Sequence, residues 1–196
     1  MHNIALFGQM ASGKSTISAA LVDAGYVKIS FAGPLKAVSE LAYGKIYKSE
    51  YYTVIQDGNE VRLSGRQILQ GVGQSVKSLD RNFWLNCFLR TARSFGETSL
   101  VVDDGRFIFE RDALRKAGWT IVGIHTAHAI RMQRYQTLYG REPTEEEQNH
   151  QSELEIPTIL DHADLIVQGS EDPYYNVKRI LEWNLLNPSI ISEALT

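Results

Sequence analysis

Gly8-Gln9-Met10-Ala11-Ser12-Gly13-Lys14-Ser15 reads G-x-x-x-x-G-K-S, a spacing of residue types that binds phosphate. The amides of Ala11 to Ser15 can turn inward and cradle phosphate oxygens, and the positive end of a following helix adds to that field. Lys14 supplies a mobile cation for β- and γ-phosphates, and the Ser15 hydroxyl is a ligand for Mg²⁺. Gly8 and Gly13 permit a backbone geometry and close approach that a Cβ resists. Met10, Ala11, Ser12 and Thr16 complete the expected nucleotide-binding loop. The apolar Ile4-Ala5-Leu6-Phe7 before the motif reads as a buried strand, and Thr16 to Leu21 after it as the start of a helix. That is the context the motif requires.

Three further segments carry residues that could do chemistry. Leu100-Val101-Val102-Asp103-Asp104-Gly105-Arg106 is an apolar strand ending in carboxylates, which would place one of them beside a phosphate loop and its Mg²⁺. Asp103 and Asp104 compete for that role, because strand alternation sends neighbouring side chains to opposite faces. Arg106 could hold a substrate phosphate or be an ordinary surface arginine at a helix start. Arg66 and Gln70 are four apart and share one helix face; an arginine for a phosphate and an amide for a base or sugar would fit there, as would a plain polar face. Trp84 is a core side chain or a platform for a base. Arg131, Arg134 and Arg141 surround the acidic stretch Glu142 to Glu147, where a lid would use arginines to neutralise moving phosphate charge and exclude water. A solvated helix with paired charges competes with that reading. No His/Cys spacing resembles a zinc site, and no Ser-His-Asp arrangement is evident.

These groups need a scaffold, and the chain alternates strands with helices. Strands are expected at Asn3–Phe7, Val27–Phe31, Ser99–Val102, Thr120–Ile124 and Leu165–Val167. Helices are expected at Lys14–Ala24, Leu35–Tyr43, Arg66–Val76, Asn82–Ser94, Ile108–Lys116, Ala127–Leu138 and Tyr175–Leu186. Asp57-Gly58-Asn59 marks a hairpin between Tyr52–Gln56 and Glu60–Leu63. Short β-branched runs between amphipathic helices imply a parallel sheet covered on both faces, an α/β fold. The residues from Phe31 to Glu97 hold no buried strand and read as an inserted helical subdomain (31–97). Residues 127–150 read as the lid region of a single domain spanning 1–196.

With 196 residues the chain suits one well-cored domain. Its 43% hydrophobic and 22% charged content is ordinary for a soluble protein. The net charge of −3 argues against a nucleic-acid surface, which would show as a basic stripe. No apolar run approaches the ~20 residues of a membrane span. Cys87 is the only cysteine, which excludes an internal disulfide, and its apolar neighbours point to a buried, inert thiol. With no signal peptide, a cytoplasmic location is expected, the host's cytoplasm if the chain is viral. Tyr174-Tyr175 and the Trp183 to Ile191 tail could supply a homodimer interface, and core packing would explain them equally well.

Taken in order, five segments resemble the bacteriophage-type deoxynucleoside monophosphate kinases. They are the phosphate loop; Phe31-Ala32-Gly33-Pro34-Leu35-Lys36; Arg66-Gln67-Ile68-Leu69-Gln70-Gly71-Val72-Gly73 with Asp80-Arg81-Asn82-Phe83-Trp84; Asp104-Gly105-Arg106 with Glu110 and Ala117-Gly118; and His150-Gln151-Ser152-Glu153. The resemblance runs from Gly8 to about Gly169. It implies a P-loop NTPase fold, three-layer α/β/α on a five-stranded parallel sheet, with an inserted nucleotide-monophosphate-binding region and a lid. It also implies transfer of the ATP γ-phosphoryl group to a deoxynucleoside 5′-monophosphate with Mg²⁺. Lys36, Arg66, Gln70 and Arg106 would contact the acceptor, together with Trp84, Ser152 and Glu153. Asp104 is favoured over Asp103 as the carboxylate working with Ser15, and Arg131 or Arg134 as the arginine at the transferring group. Tyr43 or Trp84 could wall off a ribose 2′ position. A kinase for dephospho-coenzyme A or another small metabolite is an alternative, as is a nucleotide-binding module without turnover.

Overall fold

The computed structural model describes residues 2–188, so residues 189–191 of the proposed interface tail lie outside the described residues. The chain divides into two compact units, one of residues 1–30 and 97–196, the other of residues 31–96.

The first unit is built on five parallel strands: β1 (Ile4–Phe7), β2 (Val27–Ile29), β5 (Leu100–Val102), β6 (Thr120–His125) and β7 (Leu165–Gln168). Their order across the sheet is β2-β5-β1-β6-β7. The α/β fold with a five-stranded parallel sheet expected from the sequence is the fold observed. Two helices, α1 (Lys14–Asp23) and α10 (Pro173–Leu186), cover one face, where Ile4, Leu6, Ile17, Leu21, Val101, Val122, Ile124, Val167 and Ile180 form the core. On the other face α5 (Ile108–Lys116) and α9 (Ile156–Asp161) pack on β6. β1 sits between β5 and β6, so the chain order reverses beside it. Ligands of open α/β sheets bind at the carboxyl end of such a switch point, and the phosphate loop leaves β1 there.

The second unit holds α2 (Ala32–Tyr43), an antiparallel hairpin of β3 (Tyr51–Gln56) and β4 (Asn59–Ser64), α3 (Gly65–Leu79) and α4 (Phe83–Ser94). Asp57 (φ 49°) and Gly58 (φ 81°) turn the hairpin with both central residues left-handed, the turn whose twist matches its strands. Ser64 starts α3 with a reciprocal cap: its hydroxyl accepts the Gln67 amide, and Gln67 Oε1 accepts the Ser64 amide at 2.9 Å. α2 begins three residues earlier than expected and cuts β2 short at Ile29. Pro34 is tolerated inside its first turn because the N–H groups there have no helical partner. Cys87 is half-buried on α4 rather than fully enclosed.

Between β6 and β7 lie α6 (His128–Tyr139), α7 (Glu145–Gln148), α8 (Gln151–Leu154) and α9. The last three are too short to leave a periodic signal in the sequence. Among the described residues no helix is long and apolar enough to cross a membrane. Of the expected interface aromatics, Tyr174 and Tyr175 are exposed, and the Tyr174 hydroxyl donates to Asp23 at 2.9 Å.

Candidate active site

The phosphate loop is held by contacts from far along the chain. Ala11 (φ 55°) and Gly13 (φ 102°) take left-handed conformations that turn the loop into its helix. The Ser12 carbonyl is the loop's main external anchor: Thr126 Oγ1 donates to it at 2.8 Å and Arg134 Nη1 at 3.5 Å. Arg134 also reaches the Gly169 carbonyl through Nη2 at 2.8 Å. Gly169, just past β7, lies so close that a Cβ there would fall within 1.9 Å of the Ser12 carbonyl oxygen. A Cβ on Gly8 would sit 2.5 Å from Ser12 Oγ. Two of the loop's neighbours are therefore glycine for want of room.

Lys14 folds over the loop and donates to the carbonyls of Gly8 (2.5 Å) and Gln9 (2.9 Å). Desolvation lowers its pKa to about 8, and Arg106 and Arg131 push the same way, while Glu153 and Asp103 oppose them. Lys14, Arg106 and Arg131 thus form one electrostatic cluster with two carboxylates. Arg131 is itself buried, its pKa lowered by desolvation, with Nη2 3.3 Å from His128 Nδ1 and Nε without a partner. Ser15 and Thr16 are exposed at the start of α1.

The two aspartates after β5 part company. Asp103 is buried and paired with Lys28 Nζ at 2.6 Å; Asp104 is half-buried. Glu110 fixes the following turn by accepting the amides of Arg106 (2.7 Å) and Phe107 (3.0 Å). Glu153 is buried, accepts the Met10 amide at 2.8 Å and faces Arg106 Nη1 at 3.5 Å. Ser152 is buried, and its hydroxyl lies 2.8 Å from His150 Nδ1.

On the inserted unit, Lys36 on α2 and Arg66 and Gln70 on α3 are exposed, and the last two share a face as their spacing implies. Trp84 packs within that unit. Its indole N–H donates to the Gly73 carbonyl at 3.1 Å, and its ring meets Phe83 edge-on. Tyr43 is about half exposed. Arg141 is spent on Glu147, with bonds of 2.7 and 2.8 Å. Lys28, Thr126 and Gly169 were missed from sequence. Lys28 alone left a trace, a charge inside an apolar strand.

Hard oxygen donors suit Mg²⁺: the Ser15 hydroxyl and a carboxylate from the β5 turn fit the small share of protein ligands that this ion takes beside phosphates. Among the described residues no group of three His, Cys, Asp or Glu could form an all-protein metal cage.

No family model matches the sequence, and no curated protein does. Solved structures do. Shikimate kinase from Aquifex aeolicus vf5 is 22% identical, with 95% of this chain and 98% of that one covered at a TM-score of 0.57. Dephospho-CoA kinase from Campylobacter jejuni is 15% identical over 92% and 95% at 0.55. A gluconokinase from Sinorhizobium meliloti 1021 is 17% identical over 96% and 97% at 0.53. The chain has the fold of the P-loop kinases.

Proposed function

We propose that this chain is an ATP-dependent deoxynucleoside monophosphate kinase. It transfers the γ-phosphoryl group to the 5′-phosphate of the acceptor. An acceptor phosphate oxygen bonds to the γ-phosphorus, the bond from that phosphorus to the β–γ bridging oxygen breaks, and ADP leaves with the electron pair. The observation that carries the reading is the charged cluster at the phosphate loop, where Lys14 lies over the Gly8 and Gln9 carbonyls and Glu153, bonded to the Met10 amide, faces Arg106. Bringing two anionic phosphates together is mostly a matter of positioning and charge, and such a cluster supplies both.

Lys14 and the loop amides bind the donor phosphates. Ser15, with Asp104, would hold Mg²⁺, which supplies Lewis-acid neutralisation of the phosphate oxygens when bound. Arg106 serves the acceptor phosphate, and Arg131 steadies the group in transit. Arg134, tied to Ser12 and Gly169, acts chiefly by holding the loop. Lys36, Arg66 and Gln70 are assigned to the acceptor by the sequence resemblance. The nucleotide-monophosphate-binding role of the inserted unit and the lid role of residues 127–150 rest on it too.

A second reading, phosphorylation of dephospho-coenzyme A or another small metabolite, is favoured by the kinases of similar structure. A panel of deoxy- and ribonucleoside monophosphates, dephospho-coenzyme A, shikimate and gluconate, coupled to ADP release, separates the two. Turnover of a deoxynucleoside monophosphate is expected. Turnover confined to dephospho-coenzyme A, shikimate or gluconate overturns the reading, and ATP binding with no ADP release from any acceptor favours a binding module. Lys14→Ala should abolish turnover in a folded protein.

A further inference from the structure

Glu153 lies among the cations of the site. Its side chain is 4% exposed, and each carboxylate oxygen has a protein partner. Oε2 accepts the Met10 amide at 2.8 Å, and Oε1 faces Arg106 Nη1 at 3.5 Å. It acts electrostatically on Lys14 and Arg131 as well. The short segment that carries it is bolted down on both sides. His150 Nδ1 accepts the Ser152 amide at 3.3 Å. Glu155, two residues further on, accepts the Ile108 amide at the start of α5 at 2.8 Å and the Gln151 side-chain amide at 2.8 Å. One carboxylate therefore ties the front of the phosphate loop to the arginine that follows β5. A buried anion whose oxygens are both occupied by protein is built to hold neighbours rather than to read a substrate.

We propose that Glu153 is a positioning residue: through the Met10 amide it sets the phosphate loop, and through its other oxygen it aims Arg106, without touching either nucleotide. For the reaction this rests on the kinase reading above.

The test separates holding from substrate contact. Glu153→Gln keeps an acceptor oxygen for the Met10 amide but loses the charge that holds Arg106. It should lower kcat roughly 30–100-fold, the scale of a misaimed group, while the acceptor KM stays within about threefold. Because Glu153 acts through Arg106, Glu153→Gln in an Arg106→Ala background should cost less than about threefold more. Glu153→Ala also removes the Met10 acceptor, so it should bind a non-hydrolysable ATP analogue about tenfold more weakly, whereas Glu153→Gln binds it within about threefold.

A raised acceptor KM with kcat preserved in Glu153→Gln, where Arg106→Ala shows no such pattern, would make Glu153 a substrate ligand and overturn the proposal. So would multiplicative losses in the double variant, or analogue binding by a folded Glu153→Ala equal to the parent's. If circular dichroism shows Glu153→Ala unfolded, the cycle with Arg106 decides without it. If no deoxynucleoside monophosphate is phosphorylated, the kinase reading fails, and the analogue comparison still decides for Glu153.

Discussion

No residue of β1 in the sheet-based unit has exposed surface, whereas no residue of β3 or β4 in the inserted unit is buried. Both segments are strands, and the difference lies in what covers them. Helices enclose the parallel sheet on both faces, so its strands are continuous apolar runs. The hairpin is a two-stranded ribbon whose turn chemistry sets its register, and the inserted unit draws its few buried side chains, Ser39, Ile68, Leu69, Phe88 and Ala92, from helices. The long-range contacts around the phosphate loop belong to the first kind of unit. There the phosphate loop is gripped by Thr126, Arg134, Glu153 and Gly169, all more than a hundred residues further along the chain.

The contrast breaks most sharply at Gly169. Gly169→Ala would drive a Cβ to 1.9 Å from the Ser12 carbonyl oxygen and 2.4 Å from Thr126 Oγ1, so the loop must move. The expected cost is about 1–3 kcal/mol of stability and at least about a tenfold loss in ATP-analogue affinity. Thermal melting and calorimetry read the two. A variant that melts and binds like the parent would show that the loop is not held from behind.

Lys14 tests the same grip through protons. Its pKa is lowered to about 8, chiefly by desolvation, so between about 8 and 10.5 the unfolded chain binds more protons than the folded one. Folding is therefore penalised below about pH 8, and the penalty lifts as pH rises through that window. Lys14→Met should melt higher than the parent at pH 7, with the gain gone by about pH 10.5. Phosphate restores the charge, so ATP-analogue binding at pH 8.5 should take up a proton in the parent and none in Lys14→Met. Calorimetry in two buffers of different ionisation enthalpy measures this. Equal heats in both would remove the buried cation from the account.

The units themselves are compared by truncating one buried isoleucine in each. Ile121→Ala in the sheet and Ile68→Ala in α3 should each cost about 2–5 kcal/mol locally. Only the first should carry the phosphate site with it. Hydrogen exchange is expected to show residues 31–96 opening in Ile68→Ala while analogue affinity holds. Joint opening of both units would mean that they fold as one.

What was legible in the sequence follows the same line. β1 and the phosphate loop could be read because a buried run and a glycine-lysine spacing are local signals. Arg66 and Gln70 could be placed on one face because helical period is local too. Gly169 and Thr126 could not be found. Each matters through a backbone oxygen more than a hundred residues away, and neither stands out by type. α7 to α9 left no period to read, since four to six residues complete fewer than two turns. α8 exists because His150 caps it, and its one acid Glu153 and the following Glu155 have distant partners, which is a tertiary cause.

The smallest effect is expected at residues 141–149 of the first unit, where short-range hydrogen bonds cluster. Arg141 grips Glu147 through two hydrogen bonds, the Thr144 amide adds a third at 2.8 Å, and the Arg141 guanidinium lies 5.7 Å from the centre of the Tyr135 ring. Hydrogen bonds from Arg141, then from the Thr144 amide, lower the Glu147 pKa to about 2. A carboxylate depressed in this way stabilises the fold above its unfolded pKa of about 4.5, and the contribution fades as pH falls from there towards 2. Exposure to water keeps it small at neutral pH. Glu147→Gln should hasten amide exchange across residues 141–149 at pH 7 and leave the melting temperature unmoved. Parent and variant should converge in exchange behaviour as pH approaches 2. Turnover should change by less than about twofold, because Arg141 is engaged by Glu147. A large loss of turnover would instead make Arg141 a phosphate-contacting arginine that Glu147 holds in readiness, and precise geometry would then extend beyond the buried sheet.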